Sequence, residues 1–191
     1  MRKLFYGFLL MFLSFDLSVN GHSVDVLPDF IGYFLLIRGI KEMEAESGRF
    51  QNARPFAVGM MVYTAILWVG DLLAVTGEGW ISELLGLIAA VVALYIAWLL
   101  IRAVRETEEV RGADLNSGRL FGCWKGLVAV QAAAKLLTLT INLANVSVLI
   151  NLVAVLAVVM LVLNVMYLIA WWKAVRAYEA LPPRVREPGL D

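Results

Sequence analysis

Asp25-Val-Leu-Pro-Asp-Phe-Ile-Gly-Tyr-Phe-Leu-Leu-Ile-Arg38-Gly-Ile-Lys41-Glu-Met-Glu44 decides the fold, because its second half occurs three times in the chain. Arg38-Gly-Ile-Lys41 leads to Glu44, Arg102-Ala-Val-Arg105 leads to Glu108, and Lys173-Ala-Val-Arg176 leads to Glu179. The approach to the first two matches as well, Leu35-Leu-Ile-Arg38 against Leu99-Leu-Ile-Arg102. Each copy closes an apolar run. Three copies of one supersecondary unit follow, each a helical hairpin that ends at a charged rim. The units fall near 1–54, 55–119 and 120–191 of a single domain.

Outward from that stretch, 61% of the 191 residues are hydrophobic, and mean hydropathy is +0.80. Soluble domains hold roughly 45–50% apolar residues. The excess comes in long runs near 4–19, 27–40, 56–76, 81–103, 120–144 and 147–172, which predicts an all-α, polytopic bundle of six membrane helices. Formal net charge is zero, so the chain lacks the basic footprint of a nucleic-acid binder. One cysteine, Cys123, excludes an internal disulfide, and one histidine, His22, excludes most histidine-based metal or triad chemistry. No cofactor, metal centre or catalytic constellation is expected, and the chain does not read as an enzyme. Met1-Arg-Lys followed by Leu4–Phe15 has the charge and apolarity of a signal peptide, but Ser18-Val-Asn-Gly-His-Ser offers no good small-x-small cleavage site.

Charge settles an expected orientation. The odd turns, 17–29, 77–83 and 143–148, carry no Lys or Arg. Basic residues fill the even connections and both ends: Arg2 and Lys3, then Arg38, Lys41, Arg49 and Arg54, then Arg102, Arg105, Arg111 and Arg119, then Lys173, Arg176, Arg184 and Arg186. This asymmetry places both termini and both long connections in the cytoplasm. Gly48-Arg49-Phe50 and Gly118-Arg119-Leu-Phe121 repeat a second mark, arginines suited to lipid phosphates or helix-terminal carbonyls. The first hairpin is anomalous. A helix over 28–40 rises only about 20 Å against a hydrocarbon core of about 30 Å. Residues 17–27 are polar and glycine-containing, and Pro28 with Asp25 or Asp29 suits a helix N-terminus.

Several polar residues interrupt the apolar runs. Asp16, Asp71 and Lys135 each sit toward the outer half of the first helix of a hairpin, and the last two share context, Asp71-Leu-Leu-Ala-Val-Thr76 against Lys135-Leu-Leu-Thr-Leu-Thr140. Converging, they form a proton or cation relay with one perturbed carboxylate. Kept apart from a pathway, Asp71 and Lys135 are a structural ion pair. Gln131, Lys135, Thr138 and Asn142 make one helical face that must look into the bundle or water, with Lys125 able to snorkel from nearer the cytoplasmic end. Asn151 and Asn164 suit interhelical hydrogen bonds, and Gly86, Ala90, Ala93 and Ala97 form a small-residue packing face. His22, Asp25 and Asp29 are outer-face ligand candidates or an ordinary solvated loop.

Asp25-Val-Leu-Pro-Asp-Phe-Ile-Gly-Tyr33, after a short apolar segment, resembles the Asp-x-Leu-Pro-Asp-Phe-Ile-Gly-Tyr stretch of small uncharacterised membrane proteins of Gram-positive bacteria. That resemblance implies a bacterial plasma-membrane protein and no particular activity. The six-helix layout is similar, at the level of fold alone, to the S components of energy-coupling-factor vitamin transporters. Two functions stand open. One is binding or transport of a small solute or cation through a polar intramembrane site. The other is a non-transporting subunit or regulator that docks a membrane or cytoplasmic protein on the rim Arg38, Lys41, Glu44, Arg102, Arg105, Glu108, Lys173, Arg176 and Glu179. The lipid bilayer is a partner in both.

Overall fold

The computed structural model describes residues 1–12, 16–19, 22–25, 28–72, 80–144 and 150–182; side chains of 13–27, 71–79, 141–151 and 183–191 lie outside the description. Six α-helices carry the fold: α1 (Arg2–Phe12), α2 (Asp29–Met43), α3 (Arg54–Leu72), α4 (Trp80–Arg111), α5 (Ser117–Ala144) and α6 (Ile150–Glu179). A short hairpin, β1 (Asp16–Val19) and β2 (His22–Asp25), joins α1 to α2, and a 3₁₀ helix, Gly48–Ala53, leads into α3. Each helix packs on its neighbours in sequence, and α6 closes on α1, so the six form a ring. Arg2 at the start of α1 pairs with Glu179 at the end of α6, and Lys3 pairs with Glu42 near the end of α2. Successive helices therefore alternate in direction, and every helix has one terminus at the same charged end. The hairpins α1–α2 and α5–α6 are close; α3 packs more closely on α2 than on its own hairpin partner α4.

Gly48–Gly70, Trp80–Arg111, Ser117–Thr140 and Leu152–Glu179 are long and apolar enough to cross a membrane. The chain is a membrane-embedded helical protein. Among the described residues the helices of the first hairpin are the shortest of the six. With 11 and 15 residues, α1 and α2 reach only about 16 and 22 Å at 1.5 Å per residue. Hydropathy predicts a first helix running to residue 19, but α1 ends at Phe12 and Asp16–Val19 is a strand. The physical reason lies in pairing. Antiparallel partners Asp16–Asp25, Leu17–Val24, Ser18–Ser23 and Val19–His22 satisfy backbone polar groups against each other. The intervening dipeptide is Asn20-Gly21, a sequence favoured in two-residue hairpin loops. At the other ends α4 and α6 outrun their apolar stretches by two turns, because Ala, Glu, Arg and Lys sustain a helix beyond the hydrocarbon. Gly112 (φ 60°) and Asn116 (φ 68°) turn the chain between α4 and α5.

A seam of glycines builds the short hairpin. A Cβ on Gly39 would lie 2.7 Å from the Leu4 backbone nitrogen, and one on Gly7 would lie 2.9 Å from the Gly32 carbonyl oxygen. Close backbone approach of this kind is how membrane helices gain dispersion contact without a hydrophobic driving force. Aromatic rings then join α1 to α6: Phe8 stands 5.1 Å from Trp171 and 5.6 Å from Tyr167 between centroids. The buried core, from Leu4, Leu36 and Ile40 through Leu100 and Val104 to Leu120, Trp171 and Val175, gathers toward the charged end. Toward the other end, Ile88, Leu136 and Leu161 are more than half exposed, so the outer parts of α4, α5 and α6 splay into lipid.

Ion pairs tie the charged end. Glu46 accepts from Nε of Arg111 at 2.8 Å and from its Nη2 at 2.7 Å, and Tyr178 donates to it at 3.0 Å. Three segments, the turn after α2, the end of α4 and the end of α6, meet on one carboxylate. The Arg111 and Glu46 side chains are 15% and 10% exposed, whereas the Arg105–Glu109 pair is 72% and 70% exposed. Exposed pairs of that kind contribute little. Glu46→Ala should therefore lower the thermal midpoint clearly and Glu109→Ala hardly at all. Equal midpoints for the two variants would refute a clamp at Glu46.

Candidate binding cavity

A cavity of about 180 Å³ opens inside the ring, between the end of α1, the start of α2 and the middles of α4, α5 and α6. Pro28 caps α2, and Asp29 in its first turn puts a carboxylate at the positive end of the helix, as the sequence suggests. Asp29 and Tyr33, one turn apart, face the cavity from α2. On α4 the small face does more than pack. Ala90, Ala93 and Ala97 line the cavity and leave it open where larger side chains would fill it, while Gly86 is exposed with nothing near its α-carbon. On α5 the Trp124 indole donates to the Leu94 carbonyl of α4 at 2.9 Å, which fixes a second wall. Gln131 adds an amide two turns farther along α5.

The polar floor comes from α6. Asn164 and Tyr167, three residues apart on one helical face, both line the cavity. Asn164 Oδ1 is buried and has no hydrogen-bond partner among the described residues; the Tyr167 hydroxyl is buried beside the Trp171 indole N–H. Buried polar atoms are almost always paired, and an unpaired one costs about 1–3 kcal/mol. Phe8 and Phe12 cover Tyr167 edge-on at 5.6 and 6.1 Å, which holds its ring in place. The chemical character is an apolar, ring-lined chamber with one carboxylate, two amides and two phenols. No family model, curated protein or solved structure matches this chain.

The residues expected from sequence distribute unevenly around this chamber. Gln131 and Asp29 line it. Lys135 does not; it is exposed and borders a separate, mostly apolar groove between α4, α5 and α6. Thr138 is exposed too, and its hydroxyl bonds the Ala134 carbonyl at 2.9 Å on its own helix. Beyond Gln131 the polar face is exposed, and Gln131 borders that same groove beside Lys135. The side chains of Asp16, Asp71, His22, Asp25 and Asn142 lie outside the described residues. The backbone sets Asp16 opposite Asp25 in the hairpin. Two residues expected in separate groups thus share one strand pair.

At the rim, Glu44 lies 4.0 Å from Arg54, and Glu108 accepts from the Ser117 backbone N–H at 2.8 Å and from its hydroxyl. Arg38, Arg102 and Arg176 each lie over an aromatic ring one turn back, Phe34, Trp98 and Trp172, at 4.6, 4.8 and 5.2 Å. Sequence reasoning misses Tyr167, Tyr33 and Trp124. Asn164 with Tyr167 in a run of Val, Leu and Met is the available signal, since a buried pair of polar groups one turn apart needs a partner.

Proposed function

We propose that the chain is a membrane-embedded receptor or carrier for a small solute held in the central cavity. The observation that carries this reading is a buried, unsatisfied acceptor, Asn164 Oδ1, on a residue that lines the chamber together with Tyr167. Cavities of roughly 150 Å³ hold a benzene-sized molecule, so 180 Å³ suits a solute of that scale. The described lining holds one carboxylate, two amides and two phenols, and no Lys, Arg or His. A neutral or cationic solute with N–H donors, such as a small amine or amide, matches that chemistry; an anion does not. Protein docking at the rim draws less support, since its acidic residues are engaged within the chain: Glu44 with Arg54, Glu179 with Arg2 and Glu108 with Ser117. On the positive-inside asymmetry the charged end faces the cytoplasm of a bacterial cell, and the cavity opens toward the outer half of the bilayer.

Thermal shift of the purified protein against small amines, amides and carboxylates tests the proposal. A solute at a hundred times its Kd adds about 2.7 kcal/mol, or about 5–10 °C for a chain of this size. Asn164→Leu fills the chamber and removes an unsatisfied oxygen. It should fold at least as well as the parent and lose the shift. A panel without any responder, or an undiminished shift in Asn164→Leu, would overturn the reading.

A further inference from the structure

At the charged end, a groove of about 710 Å³ runs between the 3₁₀ helix, α4 and the start of α5. Its floor holds Trp98, Ile101 and Phe121, and its walls hold three arginines and three glutamates. Most of those charges are engaged. Glu106 takes Arg49 at 3.1 Å, Glu109 takes Arg105 at 3.6 Å, and both oxygens of Glu108 turn to Ser117. Arg102 remains. It lies 4.8 Å above Trp98 with no carboxylate within 4.0 Å among the described residues. One turn beyond the groove on α5, Lys125 stands 4.5 Å from the ring of the lining residue Phe121, and it too has no ion pair within 4.0 Å among the described residues. Both stems are laid against rings, so both charged heads are presented at a set depth.

Phe34–Arg38 and Trp172–Arg176 repeat the same aromatic–cation step on α2 and α6 at the same end of the bundle. Aromatic residues and arginines at a helix end mark the membrane–water interface. We infer that the α4–α5 groove seats the phosphodiester of an anionic membrane phospholipid, gripped by the Arg102 fork and the Lys125 ammonium. A guanidinium offers two parallel N–H donors to a phosphate, and two uncompensated cations select a headgroup of net negative charge. The exposed apolar flanks of α4 and α5 continue from the groove along the path of the acyl chains.

Native mass spectrometry of delipidated protein, titrated with phosphatidylglycerol or with phosphatidylcholine, reads the site directly. One phosphatidylglycerol should bind in preference to phosphatidylcholine. Arg102→Met should weaken it about fivefold to tenfold, and Lys125→Met should act in the same direction. Arg38→Met, on the opposite side of the ring, should leave that lipid in place and controls for general loss of surface charge. Millimolar inorganic phosphate should not displace it. Equal binding of both lipids, equal weakening by Arg38→Met, or displacement by phosphate would each overturn the inference.

Discussion

Gly39→Leu should break the α1–α2 pair and leave little folded protein. The site has no slack. A single Cβ would already stand 2.7 Å from a backbone nitrogen and 2.8 Å from the Leu4 side chain. Inserting methylenes into an ordinary core costs about 1–3 kcal/mol, because side chains there can move aside. Here the obstacle is the neighbouring main chain, so the helices must separate along their length. Separation would also pull Phe8 from Trp171 and open the cavity beside it. Gly39→Ala should show the same effect in milder form. Gly59, where an added Cβ would meet nothing within 4 Å, supplies the control: Gly59→Leu should unfold with the parent. Thermal midpoints and the yield of monodisperse protein decide the matter. A Gly39→Leu protein within a degree or two of the parent would show that the glycine seam is incidental.

The second large effect belongs to Trp171. Its side chain is fully buried, and its ring touches those of Phe8 and Tyr167 at 5.1 and 6.3 Å. Truncating a buried Trp in a water-soluble core costs about 3–5 kcal/mol. In lipid the transfer part shrinks, because acyl chains are as apolar as the protein interior, and the lost packing remains. We expect about 3 kcal/mol for Trp171→Ala, near the low end, and a fall of about 6–12 °C in the midpoint. Trp171→Phe should recover most of it. Among the described residues the indole N–H has only the Tyr167 hydroxyl beside it, whereas the ring packs on both Phe8 and Tyr167, so the ring does most of the holding. Identical losses for Ala and Phe would reverse that assignment. Since Tyr167 leans on Trp171, the Ala variant should also lose solute binding, whereas Asn164→Leu loses binding alone.

Sequence carried the architecture where the physics is one-dimensional. Long apolar runs and the recurring basic exits predict helices that alternate in direction and share a charged end, and Pro28-Asp29 predicts where α2 begins. The missed features depend on distances between segments. Gly7, Gly32 and Gly39 are ordinary glycines in a string; only the facing helix makes them a seam. Periodicity gave the polar face of α5 but not what covers it: Lys135 and Thr138 lie exposed beyond Gln131. The hairpin at Asp16–Val19 was hidden by hydropathy, although Asn20-Gly21 marked it. Of the cavity, Asp29, Gln131 and the small face of α4 were visible beforehand. Tyr167 and Trp124 were not, because an aromatic residue in an apolar span reads as lipid-facing or as packing until a neighbour is in place.

The splayed halves of α4, α5 and α6 have an evolutionary corollary. Val155, Val158 and Leu161 there face a fluid that re-forms around any apolar shape, unlike the close-fitted rings and glycines at the charged end. Exchanges among Val, Ile, Leu, Met and Phe at such positions should accumulate almost freely as lineages diverge. Drift of that kind would erase overall similarity between relatives while sparing the glycine seam, the Glu46 clamp and the Asn164–Tyr167 pair.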